Sequence, residues 1–86
     1  MKTIKETYNG WTNYETWNVK LWMDNDGVNI DLFGKNLEAY ELSQAIKGYF
    51  EENTPTVTGV YADLLNGALS EVNWYEIAEA LIEDNK

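Results

Sequence analysis

The chain has no cysteine, no histidine and no arginine, and its one proline is Pro55. These absences exclude disulfides, thiolate or imidazole zinc sites, and Ser-His or Cys-His catalysis. No apolar run approaches the roughly 18 residues of a membrane span, and Met1-Lys2-Thr3-Ile4-Lys5 is not followed by the apolar core of a signal peptide. Positive charge is equally scarce. Six lysines stand against 15 carboxylates, a formal charge of −9 on 86 residues. Such a chain is expected to repel nucleic acid and not to bind it directly. The phosphate-cradling and zinc-protease motifs and the nucleophile elbow are also missing, so neither an enzyme nor a bound cofactor is expected.

What is present is apolar and aromatic: 44% hydrophobic residues, with 4 Trp and 6 Tyr. That is enough for one packed domain over residues 1–86 without staples. Residues 1–10 end in the turn signal Asn9-Gly10 and read as a flexible arm or a marginal N-terminal β element. Beyond them the pattern is helical. Thr12 or Asn13 caps a first helix, and Thr12-Asn13-Tyr14-Glu15 fits a capping box. Tyr14, Trp17, Leu21 and Trp22 recur as an apolar stripe, with Val19 and Met23 widening it, up to Asp24-Asn25-Asp26-Gly27. A second helical region begins near Asp31, with Phe33, Leu37, Tyr40, Ile46, Tyr49 and Phe50 as its apolar set. Gly34 splits it, leaving a helix over roughly residues 36–52. A third follows Thr56 or Thr58 with Val60, Tyr61, Leu64, Leu65, Ala68 and Leu69 at helical spacing. The fourth is capped by Asn73, boxed by Glu76, and turns Trp74, Ile77, Ala78, Leu81 and Ile82 inward. The expected fold is all-α: a compact bundle of about four short helices.

Three constellations bear on function. Asp24, Asp26 and Asp31 surround Gly27 and Asn29, but an EF-hand register puts Trp22 at position 1 and Phe33 at position 12, where a ligand and a bidentate glutamate belong. A helix-ending turn explains them better than calcium. Tyr8, Trp11 and Tyr14 are aromatic candidates for an interface, as tryptophan and tyrosine dominate binding hot spots. The alternative is that they pack over the helix entrance. The carboxylates say most. Residues 44–86 hold 8 acids against 2 lysines. Glu76, Glu79 and Glu83 share the outward face of the last helix, extended by Glu71 and Asp84 and supported by Glu51 and Glu52. Such a face either keeps the chain soluble or imitates phosphates before a basic groove.

The segment Trp11-Thr12-Asn13-Tyr14-Glu15-Thr16-Trp17, continuing through Leu21-Trp22 to Asp24-Asn25-Asp26, resembles the signature box of a family of small acidic proteins encoded by bacteriophages and other mobile elements. The tail from Tyr61-Ala62-Asp63-Leu64-Leu65 through Ala68-Leu69-Ser70-Glu71-Val72-Asn73-Trp74 to Ile77-Ala78-Glu79 is similar to it as well. The resemblance implies action in the cytoplasm of a bacterial host. By analogy of size, charge and provenance, it implies binding and inhibition of a host defence system (restriction or CRISPR) as a nucleic-acid mimic. The implied partner is a host protein with a basic nucleic-acid-binding surface. The competing expectation is a phage structural or assembly accessory, or a protein-interaction module, acting through aromatic contacts.

Overall fold

A computed structural model describes residues 7–86; the beginning of the arm, residues 1–6, lies outside the described residues. The described part of the arm is a tight hairpin turn. Tyr8 and Trp11 exchange both backbone hydrogen bonds at 2.8 Å. Between them Asn9 (φ 50°) and Gly10 (φ 89°) take the two positive φ values that a type I′ turn requires. The β element amounts to this single bridge among the described residues.

Five helices follow: α1 Tyr14–Asp26, α2 Ile30–Phe33, α3 Ala39–Glu52, α4 Val60–Ser70 and α5 Trp74–Asp84. The all-α class is thus as expected, with one more element than four. Gly34 divides the second helical region, at φ 132°, a conformation that excludes a helix running through it. The longer piece begins at Ala39, not near residue 36, with the Glu38 N–H donating to the Glu41 carboxylate. α1 ends in a Schellman motif. Gly27 is left-handed (φ 73°), its N–H meets the Asp24 carbonyl, and the Val28 N–H reaches the Met23 carbonyl at 2.8 Å. α4 is capped by Gly59 instead of a threonine.

α5 packs most extensively on α3, then on α1, while α2 covers α3. Met23, Ile30, Leu42, Ile46, Val72, Ile77, Ala78 and Leu81 form the core, and Trp11, Phe50 and Trp74 lie half-buried against it. α1 corrects the sequence reading. Its buried residues are Thr16, Lys20 and Met23, at spacings of four and three. Tyr14 and Leu21 lie on the opposite side of the helix and half-buried Trp17 on its flank, so most of the aromatic stripe faces away from the core and a largely polar stripe faces α5. Trp22 is 55% exposed and is not a core residue. Tyr40 is exposed too, while Leu42 takes the core position on α3.

A polar latch explains the inversion. Asn13 caps α1: its Oδ1 accepts from the Thr16 N–H (2.9 Å) and the Thr16 hydroxyl (2.6 Å), and its Nδ2 donates to the Glu71 carbonyl. Asn73 caps α5 by accepting from the Glu76 N–H at 3.0 Å. The Asn73 N–H donates to Thr16 Oγ1, and its Nδ2 donates to Thr12 Oγ1. Two helix N-termini therefore cap themselves and each other, which turns the polar face of α1 inward. Further along, Lys20 joins the same two helices through Asp24 (2.8 Å) and Asp84 (3.2 Å).

The fourth helix stands apart. α4 has only slight contact with the other helices and buries none of its side chains. The molecule is accordingly flat, 41 × 40 × 22 Å, with a radius of gyration of 13.8 Å. A compact chain of this length has about 12 Å.

Candidate protein-binding surface

The acidic residues expected to form one face divide into used and unused. Glu76 is used: its Oε1 accepts the Thr12 N–H at 3.0 Å. The glutamate three residues after the cap thus reaches across to α1 instead of closing a box on Asn73. Asp84 is used as well, by Lys20, and Glu83 lies 3.4 Å from Lys86. Glu71, Glu79, Glu51 and Glu52 are exposed, and among the described residues no lysine lies within ion-pairing distance of them. Glu79 and Glu83 stand one turn apart on the outer face of α5, with Glu71 just ahead of its start; Glu51 and Glu52 close the C-terminus of α3. Because α3 and α5 are the best-packed pair, Glu51, Glu52, Glu79 and Glu83 sit on rigid elements, and Glu71 is tethered through its carbonyl to Asn13. Exposed carboxylates of this kind act on a charged neighbour over a Debye length of about 8 Å at physiological salt.

Lys20 is the one buried cation among the described residues, its side chain 8% exposed. Burial pulls its pKa down, but hydrogen bonds to Asp24 and Asp84 and the attraction of both carboxylates outweigh it. The net position is above the ordinary lysine value. Asp31 meanwhile pairs with Lys35 at 3.3 Å. Asp24, Asp26 and Asp31 do not converge, and no three carboxylates are grouped to hold a metal ion among the described residues. The cation that Asp24 holds is an ammonium of the chain itself.

The aromatic candidates separate. Tyr8 and Tyr14 meet edge to face at 5.3 Å, and both contact Trp17, at 4.9 and 5.6 Å. Trp11 is not part of this cluster; it is half-buried against the core, as the helix-entrance reading expects. Trp17, assigned inward by periodicity, takes its place. A second aromatic group runs through Phe33, Tyr49, Phe50 and Trp74, and its Phe50–Trp74 pair is 5.6 Å apart. That pair walls a cleft of about 370 Å³ between α3, α4 and α5, with Lys47, Glu51, Asn66 and Leu69 around it. None of the described helices is long and apolar enough to cross a membrane.

Comparison with known families matches residues 4–86 to a family of unknown function, DUF7249. No curated protein and no solved structure matches the chain.

Proposed function

We propose, for a chain that belongs to the DUF7249 family and takes no assigned activity from it, that it is a non-enzymatic acidic binding protein. It binds the nucleic-acid-contacting surface of a bacterial defence protein, a restriction nuclease or CRISPR effector, and inhibits it in the host cytoplasm. Phage or mobile-element origin belongs to this proposal and rests on the resemblance of the Trp11–Trp17 box and the tail. The observation that carries the reading is the group of exposed carboxylates that have no lysine partner among the described residues: Glu51, Glu52 and Glu79 on the packed helices α3 and α5, and Glu71 in the turn before α5. Fixed like charges can imitate a phosphate backbone; a merely solubilising surface needs no fixed spacing.

The test is plating of an unmodified phage on a restricting or CRISPR-armed host that expresses the protein. Protection of the phage is expected, and loss of protection on the triple change Glu71→Lys, Glu79→Lys, Glu83→Lys with the far-UV helical signal intact. Glu76 is left alone because it holds Thr12. Equal protection by the reversed variant would remove Glu71, Glu79 and Glu83 from the mechanism.

A second reading, an assembly accessory acting through aromatic contacts, is favoured by one observation: Tyr14 and Trp22 are half or more exposed on the outer side of α1. It expects partner binding that is insensitive to salt and lost on Trp22→Ala.

A further inference from the structure

α4 is an 11-residue helix with no fully buried side chain; only Ala62, Leu65 and Leu69 are half-buried. Val60 (63%), Tyr61 (71%) and Leu64 (66%) are its most exposed large residues. An isolated helix of this length is marginal in water, so the conformation calls for a cover. The sequence of the face says which one. At about 100° per residue, Val60, Tyr61, Leu64, Gly67 and Ala68 fall on one side, while Ala62, Leu65 and Leu69 turn towards the body of the molecule. Reversed about Leu64, this stripe maps onto itself: position 60 onto 68, 61 onto 67, and 64 onto 64. Its large residues lie at one end and its small ones at the other. An antiparallel copy therefore sets Val60 and Tyr61 against Ala68 and Gly67, large against small at both ends. A Cβ at Gly67 would meet nothing within 4 Å in the single chain, so the space is open.

Charge points to the same occupant. Two copies at −9 each repel, and only a face without carboxylates lets them approach. In the 18 residues from 53 to 70 the one charge is Asp63, on the flank of the stripe. The area is also sufficient. Three large side chains of roughly 200 Å², about two-thirds exposed, leave about 400 Å² uncovered on each copy. With the small residues and rim added, two copies reach the roughly 1,000 Å² at which specific association begins.

We infer that α4 is the contact of a symmetric homodimer, two α4 helices crossing antiparallel about a two-fold axis at Leu64. The dimer is weak, with a Kd on the order of micromolar to tens of micromolar for so small an interface. The inference does not rest on the proposed partner, and charge reversal at Glu79 and Glu83, which lie off α4, does not remove the contact.

Sedimentation velocity over roughly 5 to 500 µM tests it, a range that brackets such a Kd. The wild type shifts from monomer to dimer, and Leu64→Glu stays monomeric with the same far-UV signal. A wild type that is monomeric throughout, or a Leu64→Glu variant that associates equally, overturns it. The chain has no cysteine, so single thiols give the geometry. Oxidation with diamide joins Leu64→Cys copies on the axis. It does not join Val60→Cys copies, whose thiols lie about 12 Å apart along the helices, beyond the roughly 7 Å Cα limit of a disulfide. Joining of both variants alike overturns the antiparallel arrangement.

Discussion

Thr16 is fully buried, and its hydroxyl both donates to Asn13 Oδ1 and accepts the Asn73 N–H. Thr16→Val keeps the shape and strands both partners, which costs about 1–3 kcal/mol. Thr16→Ser keeps the hydrogen bonds and loses one methyl, about 1 kcal/mol. Urea unfolding is expected to rank valine below serine, and the reverse order would mean that packing, not the latch, sets the position. Asn13→Ala and Asn73→Ala each remove a cap worth about 1 kcal/mol, and the double variant is expected to fall short of additivity because the caps share Thr16. Lys20 gives a pH signature. Its pKa is raised in the folded state, so its contribution is complete below the unfolded lysine pKa of about 10.4 and fades as pH climbs through the folded value. The stability difference between wild type and Lys20→Met should be flat from neutral pH up to about pH 10 and shrink above it. A difference that shrinks between pH 6 and 8 instead would contradict the ion-pair account.

At the scale of the element, helices differ in what holds them. α3 and α5 clamp each other through Leu42, Ile46, Ile77, Ala78 and Leu81, whereas α4 hangs from the Asn13–Glu71 contact and the segment 53–59, exposed except at Thr54. Amide exchange in dilute solution should be slow in α3 and α5 and fast in α4, with α4 gaining protection as concentration rises. Uniform protection at low concentration would mean that α4 is held within one chain. The same contrast shows what the sequence could tell. α5 was legible because its cap Asn73 and its apolar period agree, and Gly27 and Gly34 marked their breaks through the φ they permit. The inward face of α1 was not, since periodicity assigns aromatics to the core and knows nothing of a partner's capping needs. Thr16 and Lys20 go inward because residues 57 and 64 positions away require them. The helical period assigns Glu76 to the outer face of α5, whereas it is half-buried, and its hydrogen bond to Thr12 spans 64 positions and leaves no local signal. For α4 the period was right and the missing cover was invisible, because an amphipathic pattern does not say whose side chains complete it.

At the scale of the whole molecule, a charge of −9 on a flat body leaves most carboxylates without a compensating cation, and self-repulsion works against folding. Raising sodium chloride from about 20 to 300 mM, which shortens the Debye length from roughly 20 to 6 Å, should therefore raise the Tm. A falling Tm would mean that the Lys20 and Lys35 pairs outweigh the repulsion. The same screening acts oppositely on partner binding, where charge attracts. The most direct measurement is capture of partners from a defence-bearing bacterial lysate on the immobilised protein, with salt steps, competing duplex DNA and the lysine-reversed triple variant as control. The account predicts recovery of a nuclease or CRISPR component that elutes with salt, is displaced by DNA and is absent on the variant. Capture that resists salt and DNA and persists on the variant, or no capture at all, would contradict it.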